Sequence, residues 1–309
     1  PFTKRVFSKT IVTKRVNFDC RRQIKNAKLI AFYDRFFIAM TQDFVSAEHI
    51  VDTARYPIQD LTSPEGAKLV AACREEFAAT GLCMLPGFVS PEALGVLAHE
   101  ANGLLGEAYF CDSTHNAYLK DADPDVSPDD VTQRQEATYV GSVAYDYLPQ
   151  DGAMKRLYLW DPLMNFIGGI LDKKPFFRFA DPLGACSINV FVDGGQHGWH
   201  FDESEFTITL MLQQPDEGGL FEYVPQIRGR DNEKEIVGGV LAGKRDGVMQ
   251  LPFTPGTLLV FGGNQTIHRV TQVKGKTPRL VPVLCFAETP DHKNSEQVRE
   301  LFWGRADTG

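Results

Sequence analysis

The second half of the chain contains a series of short apolar runs separated by Gly, Pro and Asp, and this pattern limits the possible folds more than any other feature. The runs occupy residues 176–180, 185–192, 206–213, 219–224, 247–251, 257–261 and 279–287. Short strands with turn residues between them indicate an antiparallel β-sandwich or barrel. Because helix signals precede these runs, we predict an α+β fold with a jelly-roll core on which the N-terminal helices pack.

Helix starts are marked at two places in the first half of the chain. Ser63-Pro64-Glu65 and Ser90-Pro91-Glu92 each combine an N-cap residue with a proline and an acidic residue in the first turn. The elements predicted from these and later signals are helices over 67–80, 91–105 and 154–172 and a strand over 83–89. The polar segment 111–137 is predicted to be a long loop, which in a compact domain is often a lid or a binding element.

The first 39 residues differ from the rest in charge. They hold ten of the 32 Lys and Arg but only two of the 40 Asp and Glu, in a chain of net charge −8. We interpret 1–39 as an extension, either added to the natural protein or included by a start assigned too far upstream, with an organelle presequence as the alternative. Residues 40–309 show no internal boundary and are predicted to form a single domain. Nucleic-acid binding is not expected, because the acidic body would repel a duplex.

The apolar stretches and the cysteines indicate where in the cell the protein is expected. No stretch approaches the roughly 18 consecutive apolar residues of a membrane span, so no membrane association is expected. The six cysteines show no CxxC spacing and are interpreted as free thiols. Free thiols favour a reducing compartment, and we predict a cytoplasmic location.

The segment from His197 to Glu203, HGWHFDE, has the highest density of potential metal ligands. Residues i and i+2 of a strand point to the same face, so His200 and Asp202 present an imidazole and a carboxylate side by side. A third possible ligand is His268, which follows an apolar strand. Two histidines and one carboxylate on one face leave other coordination positions open, which suits a non-haem Fe(II) that also binds a co-substrate and O₂.

Arg279 lies eleven residues beyond His268 and opens an apolar strand, where a guanidinium needs an anion. Its planar fork is suited to binding a carboxylate through two parallel hydrogen bonds. The order His-x-Asp, His and then Arg is much more specific than any of its parts.

These residues resemble the Fe(II)/2-oxoglutarate-dependent oxygenases, whose fold is a double-stranded β-helix of the jelly-roll or cupin-like type. The resemblance covers residues 185–290. It implies that His200, Asp202 and His268 hold the iron and that Arg279 binds the distal carboxylate of 2-oxoglutarate. It further implies Fe(II), 2-oxoglutarate and O₂ as cofactors and a small molecule as the substrate.

Within that superfamily, the segment HFDESEFTITLMLQQPDEGGLFEYVP is most similar to a group that hydroxylates or chlorinates free amino acids. Halogenating members carry Gly or Ala in place of the carboxylate, so that chloride can take its coordination position. Asp202 therefore implies hydroxylation of a small polar substrate, a free amino acid or a derivative of one. Desaturation and oxidative cyclisation with the same cofactors remain alternatives, and the sequence decides neither the substrate nor the oligomeric state.

Three further residues are expected close to the iron. Asn189 and Thr209, the latter on the same strand face as Thr207, are predicted to contact 2-oxoglutarate, although polar residues in strands need no such role. His197 has the opposite strand parity to His200, and we interpret it as a substrate-contacting or supporting residue.

Five more residues are weaker candidates for contacts with the substrate. Glu203 and Glu222 could pair with a cationic amine or could be ordinary surface carboxylates. His115 and Asn116 lie in the predicted loop, and Trp303 near the C-terminus could close the pocket or simply anchor the tail.

Two other classes of protein use similar ligands. A zinc hydrolase or cupin-type isomerase has no need of Arg279 as a dicarboxylate anchor. A non-catalytic jelly-roll binding module has no reason to keep the three ligands together with the arginine. The sequence therefore favours the oxygenase.

Overall fold

The computed structural model describes residues 46–121, 123–127 and 129–308. The interpretation of 1–39 as an extension lies outside these residues. The helices are α1 (Pro64–Thr80), α2 (Pro91–Gly103), α3 (Ala153–Leu159), α4 (Asp161–Leu171), α5 (Glu233–Leu241) and α6 (Glu296–Trp303), with short 3-10 helices at Ala47–His49, Leu105–Glu107 and Tyr145–Tyr147. Among the residues described, no helix combines the length and apolar character needed to cross a bilayer.

The strands are short, as the apolar runs predicted. They are β1 (Leu82–Leu85), β2 (Tyr109–Asn116), β3 (Gln135–Val143), β4 (Phe177–Arg178), β5 (Cys186–Phe191), β6 (Gln196–His200), β7 (Thr207–Leu210), β8 (Glu217–Gly218), β9 (Phe221–Val224), β10 (Met249–Leu251), β11 (Leu258–Phe261), β12 (Ile267–Val270), β13 (Val273–Lys274), β14 (Arg279–Leu284) and β15 (Phe286–Ala287).

Most of the strands form one antiparallel sheet that curls on itself. Its order is β1-β11-β7-β14-β5-β3-β6-β12-β9-β10, with β2 attached to β3. The rings of Phe261 in β11 and Phe221 in β9 lie 5.2 Å apart, although six strands separate them in the sheet. Contact between such distant strands requires a closed curl, so the predicted α+β jelly-roll core is confirmed.

Strand alternation divides the side chains of this sheet between two environments. Ile188, Leu210 and Leu280 belong to the large apolar core that also contains Leu97 of α2 and Phe166 of α4. Residues of the opposite parity point into the curl. The helices therefore cover the outside of the sheet, and the inside is left for polar and aromatic groups.

The predicted helix starts are confirmed by their caps. The Ser63 hydroxyl accepts a hydrogen bond from the Gly66 amide at 3.1 Å, and Ser90 accepts one from Ala93 at 3.3 Å.

The helix predicted over 154–172 is divided at Trp160. Pro162 explains the break, because its ring would clash with a carbonyl of the preceding helical turn and it has no N–H to donate.

The prediction of a loop over 111–137 is wrong at both ends. β2 and β3 pair along their lengths as an antiparallel hairpin, from Tyr109 opposite Ser142 to Asn116 opposite Gln135. The polar side chains of β2 are largely exposed, so their composition matched that of a loop while their backbone pairs with β3. Only residues 117–134 connect the two strands.

The C-terminal helix is fixed to the body by one buried carboxylate. Asp181 accepts hydrogen bonds from the amides of Leu183, Gly184 and Asn294 at 2.7–2.9 Å and from Arg299 Nε at 3.1 Å. These donors outweigh the effect of burial and hold the pKa of Asp181 below its usual value. Together with the ion pair between Arg305 and Asp146, this contact holds the C-terminal segment on the body.

Candidate metal centre

Three side chains converge inside the curl as the sequence predicted. His200 at the end of β6 lies directly opposite His268 in β12, and Asp202 follows two residues after His200. The Nε2 atoms of the two histidines are each 3.4 Å from Asp202 Oδ1. One ligand atom from each residue lies within 4.8 Å of the others, so a single metal ion can bind all three.

Both histidines are oriented by backbone carbonyls. The Nδ1 of His200 is 2.8 Å from the Gly198 carbonyl oxygen, and the Nδ1 of His268 is 2.9 Å from that of Thr266. Because a carbonyl oxygen only accepts, each Nδ1 carries the proton and each Nε2 presents a lone pair to the centre. Burial, helped by the neighbouring His268, lowers the pKa of His200 to about 4, so this imidazole stays neutral.

The third candidate ligand, Asp202, carries an ionised carboxylate. Burial alone would raise the pKa of Asp202, but the His268 and His200 imidazoles outweigh it and hold the pKa well below its usual value. Two imidazoles and one carboxylate on one face are a donor set that fits Fe(II) with positions open for further ligands.

Arg279 is a buried cation. It begins β14, is 2% exposed, and forms no ion pair with any residue in the described part of the chain. Its guanidinium carbon lies 5.2 Å from the ring centre of Phe191 and 5.9 Å from that of Phe253, and its Nε has no hydrogen-bond partner among the residues that the structure describes. Burial lowers its pKa to about 9. Such a group requires an anionic ligand, and a carboxylate of 2-oxoglutarate fits it.

The backbone leaves room beside this guanidinium. Gly219 has a left-handed φ of +61°, and a Cβ there would lie 3.0 Å from the Cδ of Arg279. Both the conformation and the space favour glycine at this position.

The model of the Halogenase D family, HalD, matches residues 66–302. The chain belongs to the Halogenase D family. No curated protein matches the chain in a sequence search. Because the match extends over most of the described domain, it includes the three converging ligands and Arg279.

Solved structures show the same fold at low sequence identity. The epimerase SnoN from nogalamycin biosynthesis, described as non-heme and α-ketoglutarate-dependent, is 15% identical, with a TM-score of 0.51 over 72% of this chain and 84% of that chain. SnoN in complex with Fe³⁺, α-ketoglutarate and nogalamycin RO gives 14% identity and a TM-score of 0.50 over the same shares. A 2OG-Fe(II) oxygenase family oxidoreductase from Burkholderia pseudomallei gives 18% identity and a TM-score of 0.46, over 72% of this chain and 92% of that chain.

The triad offers the metal-binding group that the sequence predicted, and a solved structure of the same fold, that of SnoN, contains Fe³⁺ and α-ketoglutarate. As a member of the Halogenase D family, the chain is an oxidoreductase. Neither the family match nor the fold distinguishes hydroxylation from halogenation.

The two residues predicted to contact 2-oxoglutarate face the same side of the sheet as Arg279. Asn189 in β5 lies opposite Val281, two residues along β14 from Arg279, and Thr209 in β7 lies opposite Val283, four residues along. At about 3.4 Å per residue these offsets are about 7 and 14 Å. Asn189 is therefore nearer to Arg279 along the strands than Thr209 is.

His197 lies beside the triad, and its predicted strand parity is wrong. Val270 opposes His197 and His268 opposes His200, so β6 contains one more residue than β12 over this interval. The bulge brings His197 to the same face as His200, and the two rings stack with centres 3.8 Å apart. Parity arguments from sequence assume an unbroken strand, which this one is not.

His115 approaches the same histidines from β2. Its ring centre is 5.4 Å from that of His197 and 5.7 Å from that of His200. Its Nδ1 donates to the Asn116 carbonyl oxygen at 3.0 Å, so its Nε2 accepts a hydrogen bond from the Thr138 hydroxyl at 2.7 Å. The structure thus brings three imidazoles, including the metal-facing His200, to one edge of the candidate site.

Glu222 points away from the triad. It follows Phe221 in β9 and lies on the outer face, where its carboxylate binds Arg245 and Arg269. Arg269 also lies over the ring of Trp199 at 4.8 Å. This carboxylate is therefore used by two arginines on the far side of the strands that carry the histidines.

Two other predicted substrate contacts are engaged elsewhere. Asn116 is buried, and its amide donates to the Lys120 carbonyl oxygen and accepts from the amides of Tyr118 and Lys120. Trp303 packs in the apolar cluster of the C-terminal helix. Glu203, by contrast, is exposed immediately after Asp202.

Two aromatic residues that the sequence analysis did not identify as candidates pack on His268. The ring centres of Phe221 and Phe261 are 5.5 Å and 4.8 Å from that of His268. They belong to the short apolar runs, where nothing in the pattern distinguishes a pocket wall from an ordinary core residue.

Proposed function

We propose that this chain hydroxylates a C–H bond of a small polar molecule, a free amino acid or a derivative of one, using Fe(II), 2-oxoglutarate and O₂. The observation that carries the proposal is the carboxylate of Asp202 beside the two Nε2 atoms of His200 and His268. In halogenating relatives of the group that this sequence resembles, Gly or Ala stands at that position.

Each of the four central residues has a defined task in this proposal. His200, Asp202 and His268 hold the iron on one face, and Arg279 binds the distal carboxylate of 2-oxoglutarate. When bound, these cofactors and O₂ supply the oxidation, in which one oxygen atom enters the substrate, the other enters succinate, and CO₂ is released. The protein itself orients the reactants and excludes water.

The residues around the triad suit the two tasks of the protein, excluding water and orienting the substrate. Phe221 and Phe261 form an apolar wall against His268, which keeps water from that ligand. His197 stacks on His200 and provides a polar group where a substrate can hydrogen-bond, whereas both ring nitrogens of His115 are already engaged by Asn116 and Thr138. The exposed Glu203 directly follows Asp202 in the sequence. We assign the substrate contacts to His197 and Glu203 rather than to His115, Asn116, Glu222 or Trp303.

Halogenation is the second candidate because the family carries that name. It requires a halide at the position that the Asp202 carboxylate occupies here. Desaturation, cyclisation and epimerisation, the last being the activity by which SnoN is described, would use the same cofactors with a different fate of the substrate.

Product mass distinguishes these reactions. The protein is loaded anaerobically with Fe(II), given 2-oxoglutarate, excess chloride and a panel of free amino acids, and then exposed to O₂. We expect one or more amino acids to stimulate succinate formation and to gain one oxygen atom. A chlorinated product from the wild type would contradict hydroxylation, and stimulation by no panel member would contradict the proposed substrate class.

A further inference from the structure

The two carboxylate oxygens of Asp202 have different neighbours. Oδ1 faces the Nε2 atoms of His200 and His268 at 3.4 Å, where a metal would bind. Oδ2 faces away and accepts a hydrogen bond from the Thr207 hydroxyl at 2.7 Å. One oxygen is thus available to a metal while the other is already engaged.

Gly263 limits the space on the same side. A Cβ at this position would overlap the Oδ2 and Cγ atoms of Asp202, far inside van der Waals contact. The Gly263 backbone is outside the left-handed region, so lack of room alone excludes a side chain. Its carbonyl oxygen also accepts a hydrogen bond from the Asp202 amide at 3.1 Å.

These two contacts come from neighbouring strands. Thr207 begins β7 and lies opposite Phe261, the last residue of β11, and Gly263 follows Phe261 by two residues. The paired ends of β7 and β11 therefore fix the hydroxyl and the glycine relative to each other. Asp202 lies just beyond β6 and has no strand of its own to orient its side chain.

We propose that Thr207 and Gly263 are positioning residues that make Asp202 a metal ligand through Oδ1 alone. Thr207 orients the carboxylate by its hydrogen bond, and Gly263 leaves the space that the carboxylate occupies. The pair thereby keeps a carboxylate, rather than an exogenous anion, as the third ligand. This inference rests on the proposed function, in which Asp202 is that ligand.

The role of Thr207 is tested with two substitutions that differ in the hydroxyl. Thr207→Val keeps the branched shape and removes the donor, whereas Thr207→Ser keeps the donor. We expect the affinity for Fe(II), measured by anaerobic calorimetry, to fall about 10- to 100-fold in Thr207→Val, as for other groups that orient metal ligands. Thr207→Ser is expected to restore most of the affinity. Equal affinities in the two variants would overturn the role of the hydroxyl.

The role of Gly263 is tested by a double-mutant cycle with Asp202→Gly. Gly263→Ala should weaken Fe(II) binding strongly when Asp202 is present, because the methyl group displaces the carboxylate. In the Asp202→Gly background there is nothing to displace, and the same substitution should have little further effect. The cycle is measured with 2-oxoglutarate present, since its keto and carboxylate oxygens provide additional ligands. Equal losses in both backgrounds would overturn the proposal.

Urea unfolding of each variant without metal separates positioning from folding. We expect these unfolding curves to remain close to that of the wild type while Fe(II) binding changes. A fall in stability that accounts for the loss of binding would contradict a positioning role. If the wild type itself bound no Fe(II), the proposed function would fail; if the wild type bound Fe(II) and consumed 2-oxoglutarate but all variants did likewise, only this inference would fail.

Discussion

Replacing Arg279 with Met should stabilise the protein without ligands and weaken its binding of 2-oxoglutarate. The difference between the usual arginine pKa of 12.5 and the value of about 9 in this site corresponds to a desolvation cost of about 5 kcal/mol. The residue is almost fully buried and has no counter-ion among the described residues, so little of this cost is offset before an anion binds. Met retains an aliphatic chain between Phe191 and Phe253 and removes the charge.

The ligand-bound state should respond in the opposite direction. Removing one partner of a buried ion pair typically costs about 3–5 kcal/mol. At about 1.4 kcal/mol for each factor of ten, the affinity for 2-oxoglutarate should fall by about two to three and a half orders of magnitude. Binding of Fe(II) alone should be retained, because Arg279 is not one of the three ligands.

The assay combines urea unfolding of the ligand-free protein with titration of 2-oxoglutarate in the presence of Fe(II). Arg299→Met is a matched control, because Arg299 is also largely buried but binds Asp181 at 3.1 Å. The control should lose stability and keep its affinity for 2-oxoglutarate. The reasoning is refuted if Arg279→Met binds 2-oxoglutarate as tightly as the wild type, or if it is several kcal/mol less stable without ligands.

Three further predictions concern the ligands, the C-terminal helix and the chain start. His200→Ala and His268→Ala should each abolish Fe(II) binding, seen by calorimetry, and turnover, seen as succinate; retained wild-type activity would contradict the ligand assignment. Asp181→Asn should lower the free energy of unfolding at neutral pH by about 3 kcal/mol. Because the pKa of Asp181 is lowered in the folded state, this difference should shrink as pH falls below 3.8, and a pH-independent difference would contradict the pairing. Deletion of residues 1–39 should leave activity intact, and loss of folding on deletion would show that this segment is structural.

The sequence predicted the helix starts and the His-x-Asp pair because both depend on local patterns, whereas His268, 68 residues along the chain from His200, was assigned to the same site through the resemblance to the oxygenases. Ser63 and Ser90 marked helix starts through caps that act within one turn. His200 and Asp202 share a face as predicted, although the strand ends at His200.

The predictions that were wrong concern residues whose position depends on contacts between strands that are distant in sequence. The bulge in β6 places His197 beside His200, and no local sequence pattern predicts an extra residue in one strand of a pair. The polar strand β2 resembled a loop because its partner β3 cannot be identified from composition. Glu222 lies one residue from the aromatic wall, and the alternation of β9 places it on the outer face. The single-domain boundary at residue 40, the cytoplasmic location and the absence of nucleic-acid binding stay predictions.

The most direct test of the central claim is an anaerobic titration of the protein with Fe(II) and then 2-oxoglutarate, followed by visible absorption. Chelation of Fe(II) by the keto and carboxylate oxygens of 2-oxoglutarate produces a charge-transfer band. We predict that the band appears with the wild type at one equivalent of iron, is absent in His268→Ala, and needs far more 2-oxoglutarate in Arg279→Met. A wild type that shows no band, or a His268→Ala variant with the same band, would contradict the assignment of this site.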